Sequence, residues 1–465
     1  MQRVEKVAIL GLDCADPTLV FDRWLADLPN LRRLCENGLW GNLESCIPPL
    51  TVPAWSCMAS GKDPGGLGVY GFRGRRDWSY ENLGLATNVD IRQPRLWDFA
   101  ARAGLPSITL GVPQTFPIVR PPRGCQVTCF LTPSTKSAYT YPPELAAEIR
   151  ALLGAEYILD AAELQCENKD HLLGRIYEMA EQRFKLGRHL LATRPWNLFW
   201  MVEMGVDRLQ HGFWRYSDPE HREYEPGNAY ASAIHDYYVF VDRQIGQLLE
   251  GLDLQRTAVW VVSDHGAQRL DGTFCLNDWL VREGLLVMKT PITGRRRFAL
   301  ADVDWSRTKV WGDGGYTGQC FINRAGREPQ GIVAPDDYEA LRDELIARLE
   351  GLADHAGRPM CNRVFKPERL YDDITGFPPD LIVLFGDLRW RGTGSLGHVD
   401  VYSFGSEGGP DDANHALSGM YILSHPALPR GRRDGSLYDV APTTLDLLGL
   451  KSPRGLRGRT LARGE

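Results

Sequence analysis

The sequence predicts an α/β fold: a mostly parallel sheet flanked by helices on both faces, with a smaller lobe inserted late in the chain. Three observations predict it. Short apolar runs recur from end to end, too short for helices and rich in Val, Ile and Leu. Helix-length stretches separate them, and strands alternating with helices build a parallel sheet covered on both faces. The stretch 270–378 breaks the alternation with Gly312-Asp313-Gly314-Gly315 and closely spaced turn signals.

Val7 to Leu12 reads as the first buried strand. It is too short, and too soon followed by Asp13, for a signal peptide. Ser107 to Val112, Asn197 to Val202 and Thr257 to Val262 repeat the pattern, and Asp380 to Phe385 and Met420 to Leu423 follow near the end. Ile234 to Leu252 carries apolar residues near helical spacing, and Val440 to Leu448 follows Asp439 as N-cap. These elements assign 1–269 and 379–465 to an α/β core and 270–378, with its helix-like run Tyr338 to Leu349, to a cap lobe. Ligands of such sheets sit outside the carboxyl ends of the strands.

Composition narrows the function classes. The chain has 465 residues, 43% hydrophobic and 24% charged, as globular proteins do. Its net charge of −6 makes no electrostatic case for nucleic acid or an anionic membrane as partner. No apolar run approaches the ~20 residues of a membrane helix. Ten cysteines, Cys166 among them, are scattered without a C-x-x-C pair; the nearest neighbours are Cys125 and Cys129. Reduced thiols and a cytoplasmic location are the expectation.

Acidic, histidine and hydroxyl residues gather where the ligand site belongs. Asp13 ends the first strand, and Thr51 stands in Pro48-Pro49-Leu50-Thr51-Val52-Pro53-Ala54-Trp55 at a helix start. Asp207 and His211 lie one helical turn apart after the strand ending at Val202. Asp264 and His265 follow Val262, and His415 precedes Met420 to Leu423. Singly, each has a plain structural reading as cap, turn former or solvated face. Together they form an oxygen- and nitrogen-rich set suited to Zn²⁺ or Mn²⁺, without a thiolate.

The set resembles the alkaline phosphatase superfamily in its type I phosphodiesterase/nucleotide pyrophosphatase branch, closest to a group of prokaryotic phosphohydrolases and phosphomutases. Thr51-x-Pro53-Ala54-Trp55, Ser60-Gly61-Lys62-x-Pro64-Gly65, Ser263-Asp264-His265-Gly266, Leu276-Asn277-Asp278-Trp279-Leu280 and Phe321-Ile322-Asn323-Arg324-x-Gly326-Arg327 carry it. The resemblance implies an alkaline phosphatase-like fold and two divalent metal ions, zinc foremost and manganese as the alternative. One ion would be held by Asp207, His211 and His415, the other by Asp13, Asp264, His265 and the Thr51 oxygen. Thr51 would be the nucleophile, passing through a phospho-threonine to hydrolysis of a small-molecule phosphoester. A threonine hydroxyl needs such activation, and a helix N-terminus favours phosphate.

Tyr70-Gly71 replaces a His-Gly pair found in many relatives, and no motif names the phosphate-contacting residue, for which Arg73 and Lys62 are candidates. His398 competes with His415 as the last ligand. Phe213, Trp214 and Tyr216 are either a stacking surface or core. Two other function classes stay open: a phosphomutase, whose usual nucleophile is serine, and a non-catalytic binding protein on the same fold. Release of free phosphate or phenol from an aryl phosphomonoester or phosphodiester separates the hydrolase from both.

Overall fold

The computed structural model describes residues 4–161, 168–404 and 411–463; Cys166 lies outside them. Ten strands form the central sheet: β1 (Lys6–Leu12), β2 (Gly38–Glu44), β3 (Ser107–Leu110), β4 (Gly124–Val127), β5 (Thr140–Tyr141), β6 (Leu198–Glu203), β7 (Thr257–Val262), β8 (Ser418–Ser424), β9 (Gly431–Arg432) and β10 (Gly435–Ser436). Their order is β9-β2-β8-β7-β1-β6-β3-β4-β5, with β10 also paired to β2. The run β4-β3-β6-β1-β7 is parallel throughout. β8 is antiparallel to both β7 and β2, so a reversed strand interrupts the sheet, and β5 runs antiparallel to β4 at the far edge. Every residue of β6 and β7 is buried, the signature of strands covered on both faces.

Helices flank this sheet in two packed groups. Lys169–Thr193, Gly205–Ser217 and Ala233–Leu249 pack on one another, with Pro29–Glu36 beside the last; Thr51–Ser60 and Leu96–Arg102 pack with Val440–Leu447. The helices expected near 234–252 and 440–448 form at Ala233–Leu249 and Val440–Leu447. Among the described residues, no helix is long and apolar enough to cross a membrane, and the nine described cysteines are free.

Buried apolar side chains fall into two large clusters. One fills the central sheet and its helices; the other includes Tyr80, Phe274, Trp311, Phe385 and Val401. The strand expected with the core over 380–385 forms at Leu381–Leu384, but its Leu381 and Val383 pack in the second cluster. It pairs antiparallel with Gly318–Ile322 and Arg363–Phe365, and Val310–Asp313 extends that separate sheet. Asp380 explains the placement. Its carboxylate takes two bonds from Arg327 at 2.7 and 2.8 Å and one from the Ile322 amide at 2.6 Å, anchoring the strand in the lobe.

Candidate active site

Each candidate side chain is delivered by the end of a regular element. Asp13 follows β1, where its amide still bonds Glu203 O. Glu203 ends β6 and accepts from Gly205 N (2.6 Å), Val206 N (3.2 Å) and Tyr237 Oη (2.9 Å). That carboxylate satisfies the first amides of helix Gly205–Ser217, which has no side-chain cap from its own N-cap residue. The helix then presents Asp207 and His211 on one face. Asp264 and His265 leave β7 and run into the short strand Gly266–Arg269, which pairs with Ala413–Ala416; Ala267 faces His415 in that ladder.

All seven residues are buried, none more than 3% exposed. His265 Nε2 lies 3.1 Å from Asp264 Oδ2 and 4.0 Å from Asp13 Oδ1. Asp207 Oδ1 lies 3.3 Å from His211 Nε2 and 4.0 Å from His415 Nε2. The His265 and His415 rings stack at 3.7 Å, so the two halves of the cluster touch. Thr51 Oγ1 is 3.4 Å from His265 Nε2. Thr51 opens its helix but does not cap it: the N-cap is Leu50, and no side chain caps that end.

The hydrogen bonds divide each group into an anchored atom and an unsatisfied one. Asp13 Oδ2 accepts from Trp55 Nε1 at 2.6 Å, Asp264 Oδ1 from Cys14 N at 3.2 Å, and Asp207 Oδ2 from Arg208 Nη1 at 2.5 Å. The other oxygens, Asp13 Oδ1, Asp264 Oδ2 and Asp207 Oδ1, are buried without a hydrogen-bond partner, as is His211 Nε2. The histidines are fixed through Nδ1: His415 to Pro49 O (2.7 Å), His265 to Gly266 O (3.1 Å) and His211 to Asp411 Oδ1 (2.8 Å). A carbonyl oxygen only accepts, so Nδ1–H donates in His265 and His415 and their Nε2 atoms turn lone pairs toward carboxylate oxygens. Lone pairs facing lone pairs inside a protein are relieved by a cation or by a proton on the carboxyl, and ligating histidines are commonly held through the second ring nitrogen. The residues therefore fit a metal centre.

Electrostatics agree. Burial, then Asp264 and Asp207, push the Asp13 carboxyl well above the usual range; burial and Asp207 do the same to Asp264. Burial opposes the Asp207 charge, but His211 and Arg208 outweigh it and hold that carboxyl low. Burial lowers His265 to about 4 and, with His265 and His211 nearby, depresses His415 as well. His211 goes the other way despite burial, up to about 10 beside Asp207 and Asp411.

The lobe roofs this cluster. Tyr316 stacks on His415 at 4.3 Å, with its Oη 3.5 Å from His211 Nδ1. A cavity of about 930 Å³ opens beside it, lined by Leu50, Tyr316 and Asp411, by Gly312 to Gly315, and by Arg73, Arg75, Arg297 and Arg391. Of the other residues read from the sequence, Arg73 reaches this cavity, whereas Lys62 Nζ bonds Gly455 O. Phe213 is fully buried and packs with Tyr216 and Tyr230, so it is core. His398 sits with Cys275 and Asp278 in the lobe. The residues that sequence reasoning missed are the supports: Trp55, Arg208, Tyr316 and Asp411, and Cys14, whose sulfur lies near Asp207 and His211. Trp55 alone carried a signal, four residues after Thr51 on the same helix face.

Comparison with known proteins places this chain in a family. A family model described as type I phosphodiesterase/nucleotide pyrophosphatase matches residues 7–411. Human ectonucleotide pyrophosphatase/phosphodiesterase 5 has a similar structure, with TM-score 0.54, 13% identity and 96% of each chain covered. The murine protein of that name, as an inactive threonine-to-alanine variant in complex with AMP, is similar at TM-score 0.56 and 14% identity over 97% of this chain and 96% of its own. No curated protein sequence matches the chain significantly. A match over residues 7–411, well over half of the chain, settles the assignment: the chain belongs to the type I phosphodiesterase/nucleotide pyrophosphatase family, metal-dependent hydrolases of phosphoester bonds.

Proposed function

We propose that the protein hydrolyses a phosphodiester or pyrophosphate bond of a small nucleotide through a phospho-threonine at Thr51, with two divalent cations, zinc or manganese. The observation that carries this reading is the convergence of four unsatisfied buried ligand atoms beside a threonine that heads a helix. Asp13, Asp264 and His265, with Thr51 Oγ1, would hold one ion, and Asp207, His211 and His415 the other. The murine neighbour's complex with AMP supports a nucleotide as substrate class. Bound cations would lower the pKa of the threonine hydroxyl and offset charge on the transferred group.

The chain's own residues do the rest. Thr51 Oγ forms a bond to phosphorus as the leaving oxygen departs from the opposite side; water then attacks the phospho-threonine and restores the hydroxyl. The first turn of the helix offers backbone N–H groups to a phosphoryl oxygen, since the first intrahelical bond runs only from Ala54 N to Leu50 O. Tyr316 and the lobe limit water above His415.

Stereochemistry tests the path. A chiral phosphorothioate diester should hydrolyse with retention at phosphorus, the product of two inversions; net inversion would mean direct attack by water. Thr51→Ala should lose turnover by orders of magnitude while keeping fold and metal, and Thr51→Ser should keep some activity. A Thr51→Ala variant at near-full activity sinks the assignment.

A further inference from the structure

A second group of metal-ligating side chains lies in the lobe. One ligand atom each from Cys275, Asp278 and His398 fall within 4.8 Å of one another. Cys275 directly precedes helix Leu276–Arg282, Asp278 lies in its first turn, and His398 comes from the segment after strand Ser395–Leu396. Cys275 is fully buried and Asp278 is 6% exposed. Asp278 Oδ1 accepts from Gly397 N at 2.8 Å, but Oδ2 is buried with no hydrogen-bond partner. A lone carboxylate oxygen inside a protein is costly unless a cation or donor meets it. The His398 ring is steadied through Nε2 by Ser395 Oγ at 2.7 Å, itself 2.6 Å from Thr393 Oγ1.

One sulfur, one nitrogen and one oxygen make a donor set of intermediate softness, suited to zinc and poor for magnesium or calcium. We propose that Cys275, Asp278 and His398 bind a transition-metal ion, zinc by preference, separate from the phosphoryl-transfer cluster. Binding displaces the Cys275 thiol proton to solvent and leaves a fourth position to water beside the half-buried His398. The ion ties the 395–401 segment to helix Leu276–Arg282. Ser395–Leu396 pairs with Arg296–Arg297, and Arg297, Thr393 and Gly394 line the large cavity, so the clamp holds one wall of the cavity in place.

Cobalt(II) is the probe. The whole chain loaded with cobalt should show the near-ultraviolet charge-transfer band of a cobalt–thiolate bond. Cys14→Ser should retain the band; Cys275→Ser should lose it and bind one equivalent less. Asp278→Asn still offers an acceptor to Gly397 N–H, so it separates ligation from turn capping: it should lose the equivalent while the metal-free protein unfolds as wild type does. His398→Gln removes a ligand and should also lose the equivalent, and it serves if Cys275→Ser does not fold. Absence of a thiolate band, a band lost with Cys14→Ser instead, or a wild-type cobalt content in Asp278→Asn overturns the proposal. None of these readouts depends on turnover at Thr51.

Discussion

Trp55→Phe should weaken metal binding at the Asp13 half of the site without touching a ligand. The indole Nε1–H donates to Asp13 Oδ2 at 2.6 Å, both groups fully buried. A hydrogen bond to a charged group is worth about 1.5–3 kcal/mol, and about 1.4 kcal/mol is tenfold in affinity, so the ion held by Asp13 should bind about 10- to 100-fold more weakly. Packing gives a second, separable effect. The indole lies so close to β1 that a Cβ on Gly11 would stand 2.5 Å from it, and losing its five-membered ring costs about 1–2 kcal/mol of stability. The sign with pH follows from the carboxyl. Asp13 is already pushed up by burial and by Asp264 and Asp207; without its donor it rises further, and ligation needs the carboxylate. The affinity deficit should therefore shrink as pH rises. Competition with a chromophoric chelator measures affinity, and denaturant unfolding of the metal-free protein measures stability. A folded variant with wild-type affinity, or a deficit that grows with pH, refutes the reasoning.

Other outcomes follow from the same contacts. Loading metal at pH 8 should release about one proton from His211, which is charged there at about 10 against an ordinary 6.5, and Asp411→Asn should reduce the release; calorimetry in buffers of different ionisation enthalpy reads it, and heats independent of buffer would contradict it. Gly205→Ala should destabilise the protein by about 1–3 kcal/mol in denaturant unfolding, because a Cβ would stand 1.8 Å from Tyr237 Oη and 2.6 Å from Glu203 Oε1, displacing the carboxylate that starts the Asp207 helix. Tyr316→Ala should lower kcat/KM by about tenfold or more while Tyr316→Phe, which keeps the ring on His415, stays near wild type; equal losses in steady-state assays would assign the effect to the hydroxyl instead.

Fold class, and which side chains gather at the candidate site, were legible because both are written locally. A buried parallel strand such as Thr257–Val262 needs an unbroken apolar run, and a ligand at its end stands out as the first polar residue after it. Strand β2 was not legible. Gly38 and Gly41 interrupt its pattern, yet each is where another backbone closes in: a Cβ would stand 2.3 Å from Leu423 O and 2.5 Å from Arg433 O. Leu381–Leu384 was legible as a strand but not as a lobe strand, since its partner choice rests on Arg327, 53 residues away. The supports of the site are distant in the same way. Asp411 meets His211 across 200 residues, and Tyr316 reaches it across 105. The Asn277 and Asn323 motifs were visible, but their roles are structural: Asn277 exchanges two bonds with the Gly312 backbone, and Asn323 Nδ2 donates to three carbonyls.

The two-stranded ribbon of Gly266–Arg269 and Ala413–Ala416 makes the cluster depend on two distant stretches of chain at once. Cys14 N reaches Asp264 across 250 residues, and His415 enters only through that ribbon. β8, which follows at once, is also the strand that joins β2 to β7. A nascent chain that has not yet exposed residue 415 lacks the last histidine of the centre and a strand from the middle of its sheet. The three aspartates follow the ends of β1, β6 and β7, and β1 pairs directly with both of the others, so it is the histidine side of the cluster, and not its carboxylates, that depends on the chain beyond residue 411.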